Sequence, residues 1–261
     1  MPETIRGSLY DFPQYYDILF GADWKDEYRF LVGCFHRFAE RRVRRVFEPA
    51  CGTGRLLVKL AKAGYRVSGN DLNEKAVAYC NNRLARAGFK PTIRVGDMSD
   101  FKLSRPVDAA FNLINTVRHL PTEAAVESHL GCVHDALATG GIYILGLHLT
   151  PTRGPRIDDE SWSGARGPVK VTSYMWSKEV DLKGRNERLG IRFDIRTPTK
   201  RFQIEDEMNY RTYTVAQMNS LIARVPGFEV VGTYDFLYRF DEPIAVGPST
   251  QDVVYLFRKI D

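Results

Sequence analysis

Glu48-Pro49-Ala50-Cys51-Gly52-Thr53-Gly54-Arg55-Leu56 sets two glycines directly behind a short apolar run and ahead of a stretch with helical spacing. Glycines at such a junction let the backbone turn tightly and approach a ligand without interference from a Cβ. The pattern is neither a full dinucleotide fingerprint, because the third glycine position falls on Leu57, nor a phosphate loop, because no Gly-Lys-Ser/Thr follows. An ordinary βα turn has the same composition. Asp71 ends a second apolar run, where its carboxylate can accept hydrogen bonds from both hydroxyls of a ribose or simply favour the start of the next helix. Gly96-Asp97-Met98 follows a third run. There Asp97 can accept an adenine amino hydrogen while Met98 packs on the ring, or Asp97 is a solvated turn residue. Glu48, beside the glycine turn, would repel phosphates and attract an ammonium or sulfonium; its other reading is an acceptor for loop N–H groups.

These residues need elements to bring them together, and the hydrophobic period between Arg44 and Leu149 switches repeatedly between strand-like runs and helical spacing. Arg45 to Ala50, Arg66 to Asn70, Ile93 to Val95, Val107 to Leu113 and Ile142 to Leu147 read as strands. Leu56, Leu57, Leu60 and Ala61 mark one intervening helix, and Ala76, Val77, Cys80 and Leu84 mark a second, capped by Asn73. Val126, Leu130, Val133 and Leu137 predict a third, starting near Pro121 and stopping at Gly140-Gly141. Strands separated by helices of this length join as parallel neighbours through right-handed crossovers, so the spacing predicts a doubly wound α/β core. All three ligand-type stretches then fall at carboxyl ends of strands, where open α/β sheets bind ligands.

The flanks differ. Phe30, Leu31, Cys34, Phe35 and Phe38 form a helical stripe behind the aromatic stretch Tyr10, Phe12, Tyr15, Tyr16 and Phe20. Broken alternation around Lys183-Gly184-Arg185-Asn186 predicts an antiparallel insertion. Thr214 and Gln217 form a capping box for a last helix, and Phe228 to Val231 with Val253 to Phe257 read as two closing strands, the final one at an edge. The expected division is one domain over 1–261: N-terminal lid helices at 1–42, a cofactor-binding core at 43–150, an antiparallel insertion at 151–213, and the last helix and strands at 214–261.

A ligand with a ribose, an adenine and a cationic amino-acid end is S-adenosylmethionine. From about Tyr15 to Thr150 the chain resembles the class I S-adenosylmethionine-dependent methyltransferases, on Glu48 to Leu56, Asn70-Asp71-Leu72, Gly96 to Phe101, and Phe111 to Leu120. The run Tyr16 to Phe20 with Lys25-Asp26 resembles the lid of the small-molecule N- and O-methyltransferases, those of amino sugars and glycine included. The resemblance implies a seven-stranded, mostly parallel Rossmann-like sheet with an N-terminal helical lid and an antiparallel β insertion. It implies S-adenosylmethionine, and S-adenosylhomocysteine as product, held by Ala50, Cys51, Gly52, Gly54, Leu72, Met98 and Asn112 together with Glu48, Asp71 and Asp97. It places Tyr16 and Arg55 near the methionine end and His119 near the acceptor. Pro49 and Asn112 depart from the family's commonest residues.

Methyl transfer from a sulfonium is an in-line displacement, so the protein must chiefly align nucleophile and methyl in a dry site. His119 is the candidate base or acceptor-positioning residue, with a helix-end role as its alternative. Phe20, Asn115, His148 and Tyr213 are candidate acceptor-pocket residues, and Arg211, Tyr15, Trp162 and Trp176 are weaker ones. Cys51 is rejected as a nucleophile, since no Pro-Cys loop follows the fourth strand, and the Asp/Asn-Pro-Pro-aromatic run of DNA base methylation is missing.

The whole chain, 261 residues with 44% hydrophobic and 26% charged, has the make-up of an ordinary globular domain and excludes disordered, collagen-like and disulfide-scaffold classes. Its net charge of +5 is too mild to demand a polyanionic partner, so nucleic acid is disfavoured, and Arg41, Arg42, Arg44 and Arg45 read as a solvated helix end. Four cysteines without metal-ligand spacing, no apolar run long enough for a bilayer and an N-terminus unlike a signal peptide predict a cytoplasmic setting with neither a metal nor a membrane contact. The expected function is methylation of a nitrogen or oxygen of a small molecule, in a chain that can pair with itself through the insertion. An RNA or protein methyltransferase, marked by an open basic cleft, and a non-catalytic cofactor-binding protein are the alternatives.

Overall fold

The computed structural model of the protein describes residues 3–22 and 24–261. In chain order its elements are β1 (Glu3–Arg6), α1 (Pro13–Phe20), α2 (Trp24–Arg37), β2 (Arg45–Glu48), α3 (Leu57–Lys62), β3 (Arg66–Asp71), α4 (Glu74–Arg86), β4 (Ile93–Val95) and β5 (Val107–Asn112). There follow α5 (Glu123–Ala136), β6 (Leu137–His148), β7 (Asp159–Arg166), β8 (Val169–Asp181), β9 (Asn186–Arg196), β10 (Arg201–Arg211), α6 (Val215–Ala223), β11 (Phe228–Tyr234) and β12 (Asp252–Lys259). Short 3-10 turns stand at Leu9–Asp11 and Thr116–His119.

A seven-stranded sheet runs in the order β11-β12-β6-β5-β2-β3-β4. β6, β5, β2, β3 and β4 are mutually parallel, as their intervening helices require. Strand order reverses between β2 and β5, which opens a crevice beyond their carboxyl ends. Every residue of β5 is buried, the mark of a strand covered on both faces. One face packs α2, α3 and α4 through Phe30, Leu31, Leu57, Leu60, Cys80 and Leu84, while Val126, Leu130, Val133, Met218 and Leu221 of α5 and α6 cover the other.

Two expectations about this sheet are corrected. The closing strand does not lie at the edge: β12 is inserted antiparallel between β6 and β11. Its Val254 and Leu256 enter one core cluster and Val253, Tyr255 and Phe257 the other, so both faces need cover and only an interior position supplies it. Nor does Gly140-Gly141 stop α5. The helix ends at Ala136, the strand begins at Leu137, and the glycines lie inside β6 where its pairing with β5 slips by a bulge.

A second sheet, ordered β1-β10-β9-β8-β7, lies across the mouth of the crevice. β7 to β10 are antiparallel meander strands, and β1 joins β10 in parallel. The N-terminal segment therefore contributes a strand as well as helices. Val171, Ile191, Phe193, Ile195 and Ile204 make the inner face, against Ile18 and Leu19 of α1. Asp17 fastens α1 at three points. It is fully buried and accepts hydrogen bonds from Arg83 of α4 (2.6 Å), Arg166 of β7 (2.6 Å) and the Tyr79 hydroxyl (3.2 Å). The same Arg83 guanidinium donates to the Thr53 carbonyl at 2.8 Å, so the lid helix, the insertion and the glycine turn share one ionic junction.

Candidate active site

The glycine turn leaves β2 with Ala50, Gly52 and Gly54 all in the left-handed region (φ 46°, 52° and 61°). A Cβ on Gly52 would meet nothing within 4 Å, so the turn presents open space on that side. A Cβ on Gly54 would lie 2.1 Å from the Cys80 sulfur, so this glycine seats α4 against the turn and does not face a ligand. Gly52 N–H donates to Asp71 Oδ2 at 2.7 Å and Asn73 N–H to Oδ1 at 2.8 Å, holding the carboxylate in one orientation at the end of β3. Burial raises the Asp71 pKa, against the pull of these two donors. Just beyond β4, Asp97 uses Oδ1 to accept from the Ser99 N–H (2.7 Å) and hydroxyl (2.8 Å), leaving Oδ2 without a partner among the described residues.

Asp71, Asp97 and the glycine turn line one cavity of about 820 Å³, bounded by Tyr10 and Tyr16 of the N-terminal segment and by the inner face of the second sheet. Of the residues singled out in the sequence, Tyr16, Phe20, Ala50, Gly52, Leu72 and Met98 line it, as do Asn115, His119 and His148. Glu48, Cys51, Gly54, Arg55 and Asn112, also singled out in the sequence, are not among the residues that line it, and Cys51 and Asn112 are buried. Arg55 is engaged by Glu27, with Nη2 to Oε1 at 2.7 Å, and it is Glu27 that reaches the cavity. Cys51 is buried against Cys80, which lifts its thiol pKa well above the ordinary value and leaves it no nucleophilic character. Tyr213 is a correction: its ring is fully buried in the core under the Arg185 guanidinium, 4.9 Å away, and does not reach the cavity. Arg211 is occupied with the Pro121 carbonyl at 3.1 Å.

A buried polar chain ties the two sides of the floor. Asn112 donates to the Pro49 carbonyl, and its Oδ1 accepts from the Tyr143 hydroxyl at 2.8 Å. That hydroxyl is 2.8 Å from His129 Nε2, and His129 Nδ1 is 2.8 Å from the Met98 carbonyl. The chain joins the turn after β2 to the turn after β4 through the middle of the sheet.

Beyond β5 and β6 the lining changes character. Asn115, left-handed at φ 52°, spends its side-chain oxygen on the His148 N–H at 2.7 Å. His119 Nε2 is 2.9 Å from the Tyr10 hydroxyl, and its ring stands edge-on to Tyr210 at 4.8 Å. Burial, reinforced by Arg118, lowers the His119 pKa to about 4, so the imidazole is neutral at neutral pH. Tyr10, Tyr210, Glu160 and Asp252 were missed in the sequence. They come from the N-terminal turn, β10, β7 and β12. Only Tyr10 stood in a visible pattern, the aromatic N-terminal stretch.

His119, His129 and His148 all have pKa values pulled down to about 4 by burial. Each is neutral in the fold and takes up a proton near pH 6.5 when unfolded, so the unfolded state binds more protons between these limits. Stability is therefore complete above about pH 6.5 and falls as pH drops, by about 1.4 kcal/mol per pH unit for each histidine at full difference. Urea unfolding between pH 7 and pH 5 is expected to show this decline, and a midpoint constant over that range would contradict it.

The residues fit a cofactor with a ribose, an adenine and a cationic end. Glu48 Oε2 is buried without a hydrogen-bond partner among the described residues, the Gly52 side of the turn is open, and Asp71 and Asp97 are aligned acceptors. Comparison with known proteins agrees with this reading. Residues 46–141 match the family model described as a methyltransferase domain. A protein of Geobacillus sp. (strain WCH70) that carries a methyltransferase name without a stated substrate is 22% identical over 228 residues, 86% of this chain and 91% of that one. The dTDP-3-amino-3,4,6-trideoxy-alpha-D-glucopyranose N,N-dimethyltransferase of Streptomyces venezuelae is 28% identical over 38% of this chain and 40% of its own length. The solved structure of an S-adenosylmethionine-bound amino pentose methyltransferase from Micromonospora echinaspora superposes with a TM-score of 0.71 at 20% identity, covering 99% of this chain and all of the other.

Proposed function

For this chain, an S-adenosylmethionine-dependent methyltransferase of class I fold, we propose that the acceptor is a small molecule and that the methylated atom is an amine nitrogen. The observation that carries the first part is the cavity of about 820 Å³, in the size range of small-molecule sites and lined by no arginine or lysine among the described residues. An RNA-binding cleft would need a basic rim, and the lining here is acidic and aromatic.

The choice of nitrogen rests on His119. A hydroxyl acceptor gains from a general base matched to working pH, and a buried imidazole with a pKa of about 4 is a weak one. A neutral amine already has its lone pair and needs placement. His119, fixed by Tyr10 on one side and Tyr210 on the other, is suited to hold an acceptor. When bound, S-adenosylmethionine supplies a methyl group on a sulfonium, an electrophile with a good leaving group. Asp71 and Asp97 would hold its ribose and adenine, Glu48 beneath the turn would face its cationic end, and Tyr16 with Phe20 would exclude water over it.

The test is product analysis with matched amine, alcohol and carboxylate acceptors. Methylated amine is expected, with an acid limb of kcat/KM that moves with the acceptor amine's own pKa. His119→Ala is expected to lower kcat/KM by roughly 100-fold through lost alignment. Turnover of the alcohol alone, or an acid limb that stays fixed when the amine is changed, would count against the reading.

A further inference from the structure

The far wall of the cavity, beyond β5 and β6, holds two carboxylates that the methyl-transfer reading does not use. Glu160 projects from β7 and Asp252 stands at the start of β12, and both line the cavity. Neither has a lysine or arginine partner among the described residues. The one contact is His148 Nε2 to Asp252 Oδ1 at 3.3 Å, and His148 is neutral, its pKa lowered to about 4 by burial. Arg118, the nearest guanidinium behind this wall, is already engaged by Glu187 (2.7 Å) and by the Arg211 carbonyl (3.1 Å). The Tyr210 hydroxyl lines the same space from a residue only 8% exposed and has no hydrogen-bond partner among the described residues. Around this cluster the wall is apolar, with Trp162, Phe193 and Phe236.

An uncompensated pair of half-buried carboxylates is costly unless a cation joins it, and an open tyrosine hydroxyl beside it needs a polar partner. Burial raises the pKa of Glu160, with Asp252 adding to the effect and Arg118 partly opposing it, and burial with Asp235 raises that of Asp252. From this geometry we infer that the acceptor is an amine with an apolar or aromatic body that arrives as an ammonium between Glu160 and Asp252, gives up one proton to a carboxylate there so that its freed lone pair can take the methyl group, and that acceptors bearing phosphate or diphosphate are rejected. The inference deepens the amine reading above and rests on it. It separates this site from an acceptor class such as the nucleotide amino sugar named for the Streptomyces relative, since a diphosphate would meet two carboxylates and no base.

The probes are phenethylamine, tryptamine, phenethyl alcohol and thymidine 5′-diphosphate, titrated calorimetrically into the protein saturated with S-adenosylhomocysteine. The two amines are expected to bind, the alcohol to bind at least about tenfold more weakly, and the diphosphate not to bind. Glu160→Gln combined with Asp252→Asn is expected to weaken the amines by about tenfold or more while melting temperature and S-adenosylhomocysteine affinity are kept. Binding of the diphosphate in preference to the amines, amine affinity unchanged in the double variant, or no binding of either amine overturns the inference. Loss of S-adenosylhomocysteine binding in the unaltered protein would instead strike the cofactor reading, and the same probe ranking measured on the free protein keeps the two apart.

Discussion

Replacing Asp71 with alanine will weaken S-adenosylhomocysteine binding by at least about 100-fold, because two charge-assisted hydrogen bonds of about 1.5–3 kcal/mol each are lost together. The effect is enlarged by what the carboxylate does in the free protein. Its two oxygens fix the N–H groups of Gly52 and Asn73, so the glycine turn and the start of α4 are held by the same group that would receive the ribose. Alanine leaves both donors without a partner and loosens the turn as well as emptying the acceptor position. Asp71→Asn should recover little, since one amide oxygen cannot serve two backbone donors and a ribose, and its NH2 opposes them. Calorimetry on both variants, with circular dichroism to confirm folding, measures this directly. An affinity within threefold of the unaltered protein would show that the ribose sits elsewhere.

Asp17→Ala is expected to cost about 3 kcal/mol of stability, the low end for breaking a buried ion pair by removing one partner. Asp17 is fully buried, whereas Arg83 and Arg166 lie nearer solvent and can relax outward in part. For a chain of this length that is a fall in melting temperature of roughly 10 °C. The substitution should also loosen the cofactor site without touching it, because Arg83 bridges Asp17 to the carbonyl of Thr53. Thermal unfolding with and without S-adenosylhomocysteine tests both parts: a melting temperature lowered by less than 2 °C would show that the junction is dispensable.

The residues legible in the sequence were those whose position follows from local rules. Asp71 ends one short strand and Asp97 closely follows another, each marked clearly by a hydrophobic run, and the turn at Gly52 stands between a strand run and a helix run, so their meeting at one sheet edge followed from parallel connectivity. The Thr214 capping box was readable for the same reason and is present, with both of its hydrogen bonds formed. What stayed hidden depends on contacts across long stretches of chain. Glu160 and Asp252 are 92 residues apart and line one cavity only because the segments leading into β7 and β12 run side by side, where the Ile157 N–H donates to Gln251 Oε1 at 3.1 Å, with nothing local in either segment to announce it. The strand Glu3–Arg6 is four residues long and takes its structure from pairing with β10. Tyr213 misled because a tyrosine before a helix looks the same whether its ring turns outward to a pocket or, as here, inward to the core.

Counted in hydrogens instead of contacts, the buried chain from Pro49 to Met98 is one proton short. Three close approaches, Asn112 to Tyr143, Tyr143 to His129 and His129 to Met98, need three hydrogens, and one phenol with one neutral imidazole supplies two. With the imidazole hydrogen committed to the Met98 carbonyl, the phenol hydrogen must serve either the amide or the ring, and the two arrangements differ in which side of the floor is held more firmly. A third hydrogen enters only when His129 takes up a proton, which burial resists and which the Met98 carbonyl and the Asp97 charge both favour. The floor beneath the cofactor turns thus has a ground state with two orientations of the Tyr143 O–H, and the third bond forms only when His129 is protonated, near pH 4, at the cost in stability of burying an imidazolium.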